Sequence, residues 1–413
     1  MMGEMKCDVL VVGIGPVGSA VAFNTAKDGM DVIAIDRKFQ VASPLRGGEA
    51  VCKPFYDDLV ERMPVLRKVP KNKTEGTSLE AGKCKLISKE EKWQAYVLER
   101  KNLEKILAEK ASESGANLLF CSELIKVNKR KGVFDEAIVR TIDGKCRIRP
   151  KIIVAADGFA SFFRKQLGLN KPNKDWASAV EFEMVNINFT EPDLLEVFFT
   201  ETIPGGYSYI FPKFGRRGLA GVAMRPQFDG NLSPLDIFNH LAKNYTTMSI
   251  QLKDARVLEV RGGCIDVSGP FKEPVYNNVV LVGDSANQNF AYIGEGIVPG
   301  LFAALSASRK IVKAVEENNL RILAEYPKDY RNTYLWKELM QTWRIKENID
   351  DLLQKQIKTD IKLAIMSFLE LEVIDWTGKE LPDALKIKSF DKLLRFGQEL
   401  VESKGMSIDI TPL

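Results

Sequence analysis

Three glycines at positions 13, 15 and 18, in the stretch GIGPVG, have the spacing that brings backbone against a pyrophosphate. Gly13 allows the tight turn, Gly15 lets the chain approach the phosphates, and Gly18 lets the following helix pack on its strand. Pro16 lies in the same turn, where the helix start offers free N–H groups and the positive end of its dipole to an anion. Asp36, followed by Arg37, closes the next strand and can accept hydrogen bonds from ribose hydroxyls. Further along stand Arg100 at the head of a helix, then AADGFASFFR with Asp157, Gly158, Ser161 and Arg164, then LVGDSANQNFAYIGEGI with Gly283, Asp284, Gly294 and Gly296. Each later group is weak alone; their order along the chain carries the information.

The elements that must position these residues follow from apolar patterning. CDVLVVG and DVIAID read as strands around the small-residue helix PVGSAVAFNTAKDG, a βαβ unit with Ala22 and Ala26 on its packing side. Residues 101–114 form an amphipathic helix, with Leu103, Ile106, Leu107 and Ala111 on one face. QAYVLER, LLFCSELIKV, EAIVRTI and RPKIIVAADG read as strands, with a hairpin signal at Asp143-Gly144. Residues 175–270 hold several strand-like runs, an antiparallel sheet of their own, before NNVVLVGDSAN returns to the first style. Beyond residue 320 the pattern is helical. Trp336, Leu339, Met340 and Trp343 make a stripe that Ile349, Leu352, Leu353, Ile357, Ala364, Ile365 and Phe368 extend. Such a stripe is core more often than membrane anchor. The chain thus divides into a discontinuous dinucleotide domain (1–60, 90–170 and 271–320), a substrate domain (61–89 and 171–270) and a C-terminal helical region (321–413).

Composition narrows the function classes. A chain of 413 residues with net charge +4 is far from the profile of a nucleic-acid binder. Six scattered cysteines with no CxxC pair, and a single histidine, His240, argue against metal and disulfide frameworks and against a histidine-based triad. MMGEMKCDVLVVG enters a strand almost at once, without the pattern of a secretory leader, and no apolar run reaches the ~20 residues a bilayer span needs. A cytoplasmic protein is expected, with peripheral membrane contact at the inner face an open option.

The ordered motifs resemble the FAD-binding domain of the p-hydroxybenzoate hydroxylase-like flavoproteins over most of residues 5–310. GGYSYIFPK is similar to the YxWxFPK stretch of the geranylgeranyl reductases in that superfamily, RGGEAV to their loop after the second strand, and ERKNLEKILAEKASESGA to their arginine-led helix. The resemblance implies an α/β fold: a Rossmann-like FAD-binding domain, an inserted antiparallel-sheet substrate domain and a helical C-terminal region. It adds Arg46, Gly47, Gly48 and Ile297 to the cofactor set. It places Asp284 on a ribityl hydroxyl and the GEGI turn at the pyrimidine end of the isoalloxazine ring, where a helix N-terminus favours reduction. This chain departs from the family at three points: Gly47 where cysteine is common, Ala291 where proline is common, and Glu295 where glycine is common.

Tyr207, Tyr209 and Phe211 alternate along one strand and share a face that ends at Pro212. Such a stripe is either core or, as the resemblance implies, the wall of a cavity beside the flavin that holds a prenyl chain. An isolated alkene offers almost no polar handle, so its pocket binds by apolar area at ~25 cal/mol per Å2. The implied reaction hydrogenates double bonds of geranylgeranyl chains in archaeal lipids, with hydride from reduced flavin N5. Its proton would come from Glu295, a buried acid if it faces the flavin and a solvated loop carboxylate if not, or from Tyr207 or Tyr292. Two other classes compete: a monooxygenase acting on an aromatic or quinone-like substrate, and a flavoprotein that only carries electrons. The donor is either NAD(P)H or a reduced ferredoxin. The basic stretch Arg67, Lys68, Lys71 and Lys73 is either a solvated face or a docking site for anionic lipid or an acidic donor.

Overall fold

A computed structural model of the chain describes residues 3–81, 84–169, 175–203, 205–229 and 232–354. The side chains of Ile349, Leu352 and Leu353, and the positions from 357 onward, lie outside the described residues, so the far half of the C-terminal stripe does too.

The first strand, Gly3–Val12, pairs in parallel with Val32–Ile35 on one side and Gly144–Ala155 on the other. Asn117–Leu119 and Val279–Leu281 extend the parallel run outward. Alternation along the first strand decides what each side chain meets. Val9 and Val11 pack among the helices Pro16–Lys27, Arg100–Glu113 and Ile297–Glu316, whereas Leu10 and Val12 pack against the hairpin Glu123–Arg130 and Val133–Thr141. A strand covered on both faces reads as a continuous apolar run, which is why DVLVV shows no alternation. Val279–Leu281 joins this sheet beside Gly144–Ala155 from 124 residues beyond Ala155.

The second sheet has seven strands among the described residues. It runs from Arg256–Asp266 at one edge through Trp176–Val185, Gly218–Met224, Tyr207–Pro212 and Leu194–Phe199 to Gly76–Ala81 and Cys84–Ser88. Its ladders are antiparallel except Leu194–Phe199 with Gly76–Ala81, which is parallel because those strands come from distant parts of the chain. Helices Pro234–Asn244 and Thr246–Leu252, which the strand-like reading of 175–270 passed over, cover its outer face, where Phe238 stacks on Phe182 at 4.3 Å. A small third sheet joins Ala50–Cys52, Ala95–Leu98 and Lys71–Thr74.

Two local readings change. LLFCSELIKV is two strands, because the chain turns at Cys121 with φ 50°. The basic stretch 67–73 is a 3-10 turn running into a strand, and its charges are partly used: Arg67 pairs with Glu61, Lys73 with Glu75, and Lys71 lies over the rings of Tyr56 and Tyr96. His240 sits exposed on its helix beside Asn244. No helix among the described residues is long and apolar enough to cross a membrane.

Candidate functional site

A cavity of about 1470 Å3 lies between the two large sheets. Its walls bring together Gly13, Gly15, Pro16, Asp36, Arg37, Arg46, Gly47, Gly48, Arg100, Asp157, Gly158, Asp284, Tyr292, Gly294, Glu295, Gly296 and Ile297 with Tyr207, Tyr209 and Phe211 of the second sheet. Gly18, Gly283 and Pro212 do not line it. A Cβ on Gly18 would stand 1.8 Å from the Gly13 carbonyl oxygen, and one on Gly283 about 3.1 Å from Val17, so both serve helix packing. Pro212 is buried, and its carbonyl accepts from Asn72 at 3.0 Å.

The glycine turn is built for close approach. Gly13 has φ 107° and its missing Cβ would lie 2.3 Å from the Ala156 carbonyl, whereas around Gly15 there is open space. Asp36 spans the turn: its carboxylate accepts from Ile14 N at 2.8 Å and Lys38 N at 2.9 Å. Asp157 accepts from Phe162 N at 2.7 Å, while its other oxygen is buried without a partner. Burial raises its carboxyl, as it raises that of Asp284, which faces the cavity with Oδ1 3.1 Å from where a Gly296 Cβ would be. An unpartnered carboxylate oxygen, a cavity-facing carboxylate, an open glycine and the start of helix Ile297–Glu316 are the donors and acceptors that a pyrophosphate with a polyhydroxyl chain calls for. The residues present fit FAD. Arg164 does not reach this cavity; it is buried, pairs with Asp266 at 2.5 Å and Asn287 at 3.0 Å, and locks the two sheets together.

Arg100 is no ordinary surface arginine. Its guanidinium donates to the carbonyls of Arg46 and Gly48 and pairs with Glu104 at 3.1 Å, so it clamps the 46–48 loop. Gly47 has φ 83°, and a Cβ there would meet Arg100 Nη1 at 3.2 Å, which accounts for glycine at this position. Glu49 continues the loop into a network that no local pattern marks. It is 1% exposed, and pairs with Lys213 at 2.6 Å and Arg261 at 2.8 Å. Arg261 also meets Glu181, Glu183 and Glu259, and Glu181 accepts from the Tyr209 hydroxyl at 2.9 Å. Burial pushes the Glu181 carboxyl up to about 7, helped by the charge of Glu49.

The aromatic rings form one wall. Tyr209 stacks on Phe211 at 4.4 Å, and Tyr207 lies 6.0 Å from Tyr209. The Tyr207 hydroxyl donates to the Ile293 carbonyl at 2.6 Å, tying this wall to the glycine turn. Glu295 is buried in that turn. One carboxyl oxygen accepts from Val298 N at 2.9 Å and caps the helix; the other is buried with no partner. Burial lifts its carboxyl to about 7, only partly offset by the Val298 N–H. Burial likewise raises the hydroxyls of Tyr207 and Tyr292, and the Tyr292 hydroxyl has no partner. Cys52 lines the cavity as well, and burial together with the Glu295 charge drives its thiol upward, away from reactivity.

This combination of a parallel sheet with a pyrophosphate turn, a long cavity and an aromatic wall defines an FAD-dependent oxidoreductase. Residues 6–229 match the model of the FAD binding domain family. The digeranylgeranylglycerophospholipid reductase of Methanocaldococcus jannaschii is 30% identical over 390 residues, 93% of this chain and 94% of that one. Its counterpart in Methanococcus aeolicus is 29% identical over 86% of this chain and 89% of that protein. A geranylgeranyl bacteriochlorophyll reductase-like protein of Thermoplasma acidophilum has the same fold, with TM-score 0.76 at 24% identity over 98% of this chain and 99% of that one. The chain belongs to the geranylgeranyl reductase family of FAD-dependent oxidoreductases.

Proposed function

We propose that this protein hydrogenates isolated carbon–carbon double bonds of geranylgeranyl chains carried on membrane lipids. The observation that carries this reading is the continuity of the cavity: residues fitted to a flavin and three aromatic rings fitted to an apolar chain share one space. Bound FAD, once reduced, would supply hydride to one alkene carbon. Glu295 is the proton donor to the other carbon. It is buried, its free oxygen has no competing partner, and it holds its proton near neutral pH. Tyr207 is less suited, because its hydroxyl hydrogen is already given to Ile293 O. Its role is to fix the wall against the turn. Tyr209 and Phe211 bind the chain by area, with Tyr209 held in place by Glu181. The relatives' names support the lipid class, and the family's electron donors would include NAD(P)H or a reduced ferredoxin. An extracted lipid also calls for peripheral contact with the membrane.

The test is flavin reoxidation without oxygen. Protein reduced by dithionite is mixed with a geranylgeranylated lipid, with the fully saturated lipid as control. Bleached flavin regaining its yellow absorbance only with the unsaturated lipid supports the reading; no difference between the two lipids rejects it.

A further inference from the structure

Tyr207 and Tyr209 share a face of the second sheet and use it differently. Tyr207 stands up from the sheet, and its hydroxyl reaches across to the Ile293 carbonyl in the glycine turn at 2.6 Å. Tyr209 leans along the sheet instead. In the ladders Tyr209 pairs with Gly221 and Gly221 with Glu181, so the three residues face the same way on neighbouring strands. A Cβ on Gly221 would stand 2.6 Å from both Cζ and the hydroxyl oxygen of Tyr209, so the ring takes the space that any side chain at 221 would fill. The hydroxyl then donates to Glu181 at 2.9 Å, one strand further on. The two strand spacings between Tyr209 and Glu181 come to about 10 Å, which the side chains can bridge only with the ring laid across the strands. Phe211 stacks on that ring at 4.4 Å, with the planes 21° apart, so both rings lean the same way. Gly221 and Glu181 are thereby covered, and neither lines the cavity. On the other side the same row continues with Val197 and then Leu79, which do line it.

This posture sets the depth of the cavity above the row Leu79, Val197 and Tyr209. A tyrosine projecting straight out of the sheet would fill that depth. A straight alkyl chain needs little of it, but a prenyl chain carries a methyl branch on every isoprene unit. Each branch buried adds about fourfold to affinity. We propose that Glu181, acting through Tyr209, holds the channel deep enough for these branches and so selects methyl-branched chains over straight ones. The inference rests on the reading of this cavity as a prenyl channel. Glu181 is a positioning residue; it is 2% exposed and touches no substrate. A buried hydroxyl is costly to leave without an acceptor, so Tyr209 deprived of Glu181 turns its hydroxyl towards the cavity, and the ring goes with it. Arg261 still has Glu49, Glu183 and Glu259 when Glu181 is replaced, so the substitution strands no cation.

The experiment uses the flavin-loaded protein in its oxidised form, so that nothing is reduced. Phytanol and hexadecanol, alcohols of equal backbone length that differ only in methyl branches, are titrated in. The change in flavin absorbance gives each dissociation constant. The native protein is expected to prefer phytanol by at least roughly tenfold. In Glu181→Met phytanol should bind about tenfold more weakly and hexadecanol within about twofold of native, which erases the preference. Adding Tyr209→Phe to Glu181→Met removes the hydroxyl that lacks a partner and should restore most of the preference. Glu181→Gln, whose amide oxygen still accepts, should keep it. A merely structural role for Glu181 would weaken both alcohols together and would not be rescued at Tyr209. Gly221→Ala crowds the same ring towards the cavity and carries the test if Glu181→Met does not fold. A native preference retained in Glu181→Met, or in Gly221→Ala where that is the variant used, overturns the inference. So does equal affinity of the native protein for the two alcohols, or a double variant as unselective as Glu181→Met. If the native protein binds neither alcohol, it is the reading of the cavity as a prenyl channel that fails.

Discussion

Replacing Glu295 by glutamine removes a charge and keeps a carbonyl to accept from Val298 N, so the helix cap survives. In the native protein, burial raises this carboxyl from 4.5 to about 7. The folded form therefore binds its proton more tightly than the unfolded chain does. Its stabilising effect is complete below about pH 4.5 and is lost as pH rises through about 7. Above that range the buried carboxylate costs about 3 kcal/mol, which follows from the size of the displacement at 1.36 kcal/mol per unit. Glutamine carries no such cost. The variant should match the parent below about pH 4.5, gain on it steadily as pH rises towards 7, and exceed it by about 3 kcal/mol on the alkaline side of neutrality. Urea unfolding, followed by tryptophan fluorescence at several pH values across that window, reads the gap directly. A gap that does not change with pH, or a parent more stable than the variant in alkali, would refute the burial argument for Glu295.

Further expectations follow from the same geometry. Lys213→Met strands the Glu49 carboxylate between fewer cations and should cost about 3–5 kcal/mol in urea unfolding, with flavin lost on gel filtration as the 46–48 loop loosens. Gly15→Ala meets no atom within 4 Å, so thermal unfolding of the flavin-free protein should be unchanged; the added methyl group faces the pyrophosphate, and FAD affinity measured by fluorescence quenching should fall at least roughly tenfold. Tyr209→Phe leaves Glu181 without its hydroxyl donor and should destabilise the fold by about 1–3 kcal/mol, read by the same unfolding assay.

The glycine turn, the strands around it and the late return of Val279–Leu281 were legible because their signals are local: a spacing, an apolar run, a turn. The alternation of Tyr207, Tyr209 and Phe211 placed three rings on one face, but only packing decides between core and cavity, and here they line a cavity. The network of Glu49, Lys213, Arg261 and Glu181 left no trace, because its members lie far apart in the chain; Glu49 and Lys213 are 164 residues apart, and each reads as an ordinary surface charge. The helix Tyr334–Gln354 misled differently. Its apolar stripe drew attention to Leu339, which is indeed buried, and passed over the neighbouring polar row at 338, 342, 346 and 350, which lines the cavity. Periodicity finds rows of like residues; it does not say which row faces a cavity. Gly47 was read as a departure from the family, and its φ of 83° beside Arg100 supplies a local reason for it.

The measurement that tests the central claim most directly is the mass of the lipid product. Protein carrying FAD is reduced without oxygen, mixed with a geranylgeranylated glycerophospholipid, and the lipid is extracted and weighed by mass spectrometry. The account predicts a gain of two hydrogens for every double bond reduced, with the gain suppressed in Glu295→Gln. A lipid of unchanged mass in the presence of fully reduced flavin would contradict it.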